Sequence, residues 1–448
     1  LFSSSLQLVN KDLVMLERQT TAVLGAGLAG LAYTHFTDQS VVLYEQQEHP
    51  GGLCRSFPSV DCIPTDIGPH IFFSWNSDLL AKLISFTPVR QHRRINAIWH
   101  DGRFIDYPFE NYLGQLSRSE CEYCRDSFLA ATHHEDRGET MKDFFLNTFG
   151  EGICSLYLLP YNRKIWKRDP AEMDTQMVSR IPRPPDQHII DAAAGRYHQG
   201  YLHQAHFWYP ERGGMASLIH GLARHPDTIA SIDRCRFGAH VTGIWREGDA
   251  FVVNGDFATS KGTNRHSGLV STLPLPRLAG ILDPPPPEHV EDAVDRLTYI
   301  GIHVTVVTAT NDILENRFSV TIADPEVPFH RVTKLDFLGD PYWLRDRSTF
   351  LVEESFRPEE PQPASAKVAA AHVQHLDRIG FVQHSNVVSA ISRRFQHAYP
   401  VYDLNHRKSV DTVLDWVRSL GIISLGRFGQ WEYMNMDRVL QEAEDVAV

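Results

Sequence analysis

Gly25, Gly27 and Gly30, followed by a carboxylate at Glu45, have the types and the spacing to hold a pyrophosphate and a ribose. Gly25 allows a tight turn, Gly27 lets backbone amides approach a diphosphate at a helix N-terminus, and Gly30 lets helix and strand pack closely. Glu45, twenty positions after Gly25, would accept hydrogen bonds from a ribose hydroxyl. Cys121 and Cys124 form a single CxxC with no second pair or His pair to complete a metal site. They read as core-facing or idle thiols on a helix, and no metal is expected.

The chain has 448 residues, with 43 Lys plus Arg against 55 Asp plus Glu and a net charge of −12. That length holds two or three domains, and that balance argues against a protein that clamps nucleic acid through general charge. An anionic ligand must then be gripped by a few local cations or backbone amides. Six cysteines are too sparse for a disulfide framework and fit a reducing compartment. No apolar run reaches the roughly 18–20 residues of a membrane helix, and the N-terminus lacks the basic and apolar regions of a secretory signal. No membrane association and a cytoplasmic location are therefore expected. Residues 1–5 carry no initiator Met, and about the first 14 residues are left out of the fold reading.

The elements that must position these groups are legible in outline. The glycine loop follows a β-rich apolar run from Thr20 and continues into helix-compatible Leu31-Ala32-Tyr33, and Glu45 ends a second apolar run over 41–44. Strand, turn, helix and strand are the parts of a dinucleotide-binding unit. Residues 93–108 read as a hairpin around Asp101-Gly102. From about 115 to 195 the spacing turns helical, as at Met141, Phe144, Phe145, Phe149, Ile153 and Leu156, until Pro182, Pro184 and Pro185 end the piece. Segments near 301–307, 319–322, 330–335 and 349–353 alternate apolar and polar, as in an antiparallel sheet with one covered face. Two later segments, 209–215 and 426–433, return to the core.

Gly51-Gly52-Leu-Cys-Arg55-Ser56 is similar to the second fingerprint of amine-oxidase and sugar-mutase flavoproteins, which moves the expected cofactor from NAD to FAD. Asp66-Ile-Gly68-Pro-His70-Ile-Phe72, Tyr107-Pro-Phe109, Pro160-Tyr161-Asn162-Arg-Lys164-Ile-Trp166, Pro210-Glu-Arg-Gly-Gly214, Pro328-Phe-His-Arg331, Arg393-Arg394-Phe395-Gln-His-Ala-Tyr399-Pro400 and Gly426-Arg-Phe-Gly429 resemble UDP-galactopyranose mutases, in the same order. The resemblance is to the eukaryotic type and spans about residues 20 to 445.

It implies an α/β fold: a Rossmann-like FAD-binding domain with an inserted helical bundle and a six-stranded antiparallel β-sheet substrate domain. The FAD domain is expected at 15–92, 208–285 and 386–448, the bundle at 110–200, and the sheet at 93–109 and 286–385. The implied activity is pyranose/furanose interconversion of a nucleotide-diphosphate sugar. N5 of a reduced flavin attacks the anomeric carbon, the nucleoside diphosphate leaves, and the sugar ring opens and recloses. NAD(P)H is a candidate reductant, and a homo-oligomer is a candidate assembly.

By the same resemblance Arg180 and Arg331 grip the diphosphate and His70 sits against the flavin, the three expected catalytic residues. Tyr399 and Tyr433 hydrogen-bond the diphosphate, Asn162 and Trp166 lie on the substrate side, and Tyr107, Phe109, Glu110, Gln204 and Thr321 complete the substrate set. Gly25, Gly27, Gly30, Glu45, Gly52, Arg55, Gly68, Val241, Arg427 and Gly429 are the expected cofactor residues, with Val241 reading adenine through its backbone.

Three positions depart from the family pattern. Pro69 replaces a glycine and should stiffen the loop before His70. Thr321 and Ser319 stand where aromatic residues are the rule, which shortens or loses a phosphate contact. Glu110 replaces the glutamine that reads uracil; an ionised carboxylate only accepts, so the nucleotide is expected to differ from UDP. The competing reading is an FAD-dependent oxidoreductase of the amine-oxidase or desaturase type, which has no use for a diphosphate clamp, and a third is an FAD-binding scaffold with a decayed site.

Overall fold

Thr20–Leu24 and Ser40–Tyr44, the apolar runs that flank the glycine loop, pair in parallel from Thr20↔Ser40 to Leu24↔Tyr44. They form the middle of a five-stranded parallel sheet in the order Ile423–Ser424, Gly268–Ser271, Thr20–Leu24, Ser40–Tyr44, Ile232–Arg236. The computed structural model describes the chain except residues 1–18, 59–63, 132–137, 179–180, 182, 199–205, 258–259, 313, 339–345 and 448. Helix Leu28–Phe36 crosses between the two central strands and is buried from Leu28 to Thr34, against the C-terminal helix Met436–Ala447. A four-stranded sheet, Ser260–His266, Ala250–Phe257, His240–Glu247 and Leu282–Asp283, covers the ribose end.

The expected hairpin is present as Asn96–His100 and Arg103–Asp106, turning on Asp101 and Gly102, both at positive φ. It forms one edge of a sheet with Ser319–Ile322, Arg331–Lys334, Ser348–Phe356, Tyr299–Ala309 and Val387–Pro400. Three expectations need correction here. The sheet has seven strands, and Ser319–Ile322 runs parallel to Asn96–His100. More than two hundred residues join those two strands, so no tight turn dictates an antiparallel approach. Val387–Pro400, expected in the FAD domain, pairs along Tyr299–Ala309 and belongs to this sheet. At fourteen residues it finds in Tyr299–Ala309 a partner long enough to pair with it from Val387 to Pro400.

The helical insert is built from Arg118–Ala130, Met141–Ile153, a π-turn at Cys154–Leu158, Leu159–Trp166 and Asp186–Ala193. Capping boxes at Ser117/Glu120 and Thr140/Asp143 start the first two. Met141, Phe144, Phe145, Phe149 and Ile153 are all buried, as their spacing predicts. Cys121 and Cys124 are buried free thiols on the first of these helices. Pro182 lies outside the described residues, and Pro185 precedes a helix rather than ending the bundle. Its φ of −59° with no N–H requirement suits the start of Asp186–Ala193.

Asp66 ties these layers together. Its carboxylate accepts from Ser56 Oγ at 2.5 Å, Tyr209 Oη at 2.7 Å and Met215 N at 2.9 Å. Burial outweighs those bonds and raises the acid to about 6. A raised folded-state pKa means that the contribution to stability is greatest below about pH 4 and is lost as pH rises through about 6. Asp66→Asn is therefore expected to flatten part of the decline in urea midpoint between pH 4 and 6.5.

Candidate active site

The glycine loop opens onto a cavity of about 600 Å³ at the C-terminal ends of the parallel strands, where an open α/β sheet binds its ligand. Gly25, Gly27, Glu45, Gly52, Arg55, His70, Val241 and Arg427 all line it. Gly25 has φ +101°, and a Cβ there would come within 2.2 Å of Thr272 Oγ1. A Cβ on Gly27 would meet only Gly52, at 3.7 Å, so the backbone is bared to the cavity. This cradle fits a dinucleotide diphosphate. Glu45 holds the amides of Ala26 and Gln47, each at 2.9 Å, so it pins the glycine loop besides facing the ribose position. Val241 lines the same end, with its carbonyl taken by Arg277 at 3.0 Å.

Three expected cofactor residues do not line the cavity. Gly30 packs the helix on the strand: a Cβ there would lie 2.0 Å from Gly25 O. Gly429 packs the last segment on the sheet, its carbonyl bonded to Ser424 Oγ at 2.6 Å. Gly68, at φ +107°, abuts Glu353, whose Oε1 would be 3.4 Å from a Cβ. The next residue, Pro69, is the centre of a tight turn closed by His70 N to Gly68 O at 2.8 Å. That turn sends His70 into the cavity, where burial, then Arg427 and Arg331, lower its pKa to about 3. The imidazole is neutral at every physiological pH.

Beyond His70 the seven-stranded sheet and the helical insert supply a cationic, phenol-rich wall. Arg331 is not the free fork that the resemblance implies: it makes a bidentate pair with Glu353, through Nε to Oε2 and through Nη2 to Oε1 at 2.7 Å. The two stand opposite each other on adjacent strands, and Glu353 is only 1% exposed. Its carboxylate holds the Arg331 guanidinium well above the usual arginine value despite burial, with Tyr399 and Tyr161 adding to the effect. Tyr399 and Tyr433 stack at 5.5 Å, and both rings lie over Arg427, at 5.2 and 5.4 Å. Arg427 is held by carbonyls, those of Met434 and Ala398, so its charge is not neutralised by those contacts.

Trp166 meets Tyr399 edge-on at 6.0 Å. Asn162 is engaged internally: Oδ1 accepts from Trp166 Nε1 at 3.1 Å and Nδ2 donates to Leu158 O, one turn back on the same helix, at 2.8 Å. Asn162 therefore orients Trp166. Phe109, fully buried and stacked on Tyr157 at 5.2 Å, is core rather than lining. Thr321 Oγ1 lies 3.2 Å from the Tyr157 hydroxyl, so a phenol reaches that spot from the helical insert. Glu110 is buried beside Tyr107 and Tyr157, and burial raises its carboxyl to about 7. Arg180 and Gln204 lie outside the described residues. Elsewhere, ligand atoms of His35, His225 and Asp227 lie within 4.8 Å of one another, a spacing that leaves the expectation of no metal untested.

Sequence reasoning missed Glu353, Tyr157 and Arg94. Arg94 is buried close to Tyr107, Arg331 and Tyr433. Lys164, from the motif at 160–166, donates its Nζ to the carbonyls of Ile322, Asp324 and Phe329 and so latches the turn before Arg331. Glu353 alone carried a usable signal, being an acid directly after the apolar run Phe350-Leu351-Val352 in a strand buried along nearly its whole length.

The Rossmann-like NAD(P)-binding domain family matches residues 23–85. The crystal structure of a reduced UDP-galactopyranose mutase superposes with a TM-score of 0.85, at 21% identity over 96% of this chain and 93% of that one. This chain has the fold of that flavoprotein mutase. A putative protoporphyrinogen oxidase from Exiguobacterium sp. 255-15 superposes at 0.73 with 16% identity, over 96% of this chain and 98% of its own. A putrescine oxidase variant follows at 0.63 and 14%, with the same coverage. The mutase-type fold is thus shared with oxidases, and likeness at these identities speaks to architecture alone. Among the described residues no helix is long and apolar enough to cross a membrane.

Proposed function

We propose that this protein is an FAD-dependent mutase that interconverts pyranose and furanose forms of a nucleotide-diphosphate sugar. The observation that carries the reading is the meeting of Arg331, Tyr161, Tyr399 and Tyr433 with His70 and Arg427, the two of the group that line the cavity. Reduced FAD, with NAD(P)H as the candidate reductant, would supply the nucleophile for the anomeric carbon. The chain's own residues do the rest. Gly25, Gly27 and Gly52 bare backbone to the cofactor diphosphate. Arg331 and Arg427 bring positive charge to a leaving diphosphate, and the phenols of Tyr399 and Tyr433 offer it hydrogen bonds. Neutral His70 can donate one hydrogen bond to the bound ring without adding charge.

One observation favours the oxidoreductase reading: Glu353 cancels much of the Arg331 charge. The two are separated by incubating dithionite-reduced protein with UDP-, GDP-, CDP- and dTDP-sugars. The mutase reading expects ring-isomerised product with no oxygen uptake and a borohydride-trapped flavin–sugar adduct. Stoichiometric oxygen consumption with an amine, and no adduct with any sugar, would overturn it.

Glu110 makes the nucleobase choice pH-dependent. Below about 7 the protonated acid offers one donor and one acceptor, the pattern of the glutamine it replaces; above, it only accepts. The expectation that UDP is excluded is thereby narrowed to alkaline pH. UDP affinity is expected to fall roughly tenfold between pH 6 and 8, and Glu110→Gln to abolish that dependence, as titration calorimetry would read.

A further inference from the structure

A second cavity, of about 660 Å³, adjoins the dinucleotide cavity and shares Gln47, Arg55, Arg394 and Phe395 with it. Its own wall adds Phe57, Ser392, Arg393 and the turn at 362–365. Three arginines thus face one space, with no carboxylate among the described lining residues. Arg55 and Arg393 stand over the same ring, that of Phe57, at 5.4 and 5.0 Å. Among the described residues they hydrogen-bond neutral groups: Gly52 O and Gln47 for Arg55, Pro58 O for Arg393. The nearby acid Glu360 is turned to Arg357 at 3.6 Å.

Two further features face the same space. Helix Ser365–Arg378 begins at this wall, and its N-cap, Ala364, has no side chain to satisfy the first amides. Ser392 lines the cavity with 8% exposure, and its hydroxyl has no hydrogen-bond partner among the described residues. Clustered like charges, an uncapped helix start and an unpartnered buried hydroxyl are each relieved by an anion with several acceptor oxygens.

We propose that this cavity is a second ligand site, for a phosphate-bearing anion seated beside the dinucleotide and held by Arg55, Arg393, Arg394 and the start of helix Ser365–Arg378. The site stands independently of the mutase reading. Its phosphate could come from inorganic pyrophosphate or from a nucleotide, and the two are separated by comparing pyrophosphate, ADP and NADPH as probes.

The test is titration calorimetry on the FAD-loaded full chain. Arg393→Ala removes a guanidinium that does not line the cofactor cavity. Ser365→Asp adds a negative charge at a helix start, where the dipole favours it, so the fold is kept. Each is expected to weaken pyrophosphate binding at least tenfold, with the flavin content and its visible spectrum unchanged. Equal affinities for pyrophosphate and the nucleotides assign a free phosphate, and tighter nucleotide binding assigns a nucleotide; both support the site. No wild-type binding at millimolar pyrophosphate overturns the proposal. So does wild-type affinity in either variant, because the heat then comes from the Arg331 wall. Absence of sugar isomerisation by the wild-type protein, with these titrations as expected, sinks the mutase reading and leaves this site standing.

Discussion

Arg331→Ala is expected to abolish turnover and to lower stability by about 3–5 kcal/mol, because Glu353 is left as an unpaired buried charge. Two companion variants separate the causes. Arg331→Lys keeps the charge and loses the planar fork, so the fold should survive while kcat/KM falls roughly 10²–10³-fold. Glu353→Gln keeps a hydrogen-bond acceptor for Arg331 and removes the counter-charge. It is expected to tighten nucleoside diphosphate binding several-fold, since the guanidinium then meets the ligand with its full charge. Weaker binding in Glu353→Gln would mean that the pair acts only as a strand-to-strand tie. Equilibrium denaturation, ligand titration and steady-state kinetics on the three proteins read all of these effects.

The second large effect concerns the cofactor. Gly30→Ala is expected to yield protein without flavin, read as loss of absorbance near 450 nm relative to 280 nm. The added methyl would lie 2.0 Å from Gly25 O and 3.2 Å from Val23 Cγ1. Helix Leu28–Phe36 must then back away from the strand, and overpacking of this kind costs about 1–3 kcal/mol. The displaced turn is the one that Glu45 pins through Ala26 N, so the diphosphate cradle opens with it. Gly68→Ala is the contrasting case: its nearest contact is 3.4 Å, and the strain there comes from φ +107° alone. That variant should bind flavin.

Legibility along the chain followed the range of the interactions involved. The hairpin at Asp101-Gly102 and the helix Met141–Ile153 were readable because turn chemistry and apolar spacing act over a few residues. The sheet membership of Val387–Pro400 and the parallel pairing of Asn96–His100 were not, since strands carry no address for partners far along the chain. Asn162 and Phe109 matched motif positions, yet their side chains turned out to hold Trp166 and to pack on Tyr157. A motif reports residue type and not rotamer.

The dinucleotide cradle follows from local sequence. Gly25, Gly27, Gly30 and Glu45 meet needs set within one βαβ unit: a positive φ, a bare backbone, a close helix and an acid at the next strand's end. The electrical character of the wall beyond His70 comes instead from packing. Glu353 neutralises Arg331 across a strand pair, backbone carbonyls leave Arg427 charged, and burial among Tyr107 and Tyr157 brings Glu110 to titrate near neutrality. Charge and protonation depend on burial and on neighbours brought together by packing, and neither is written in the spacing of residues along a chain.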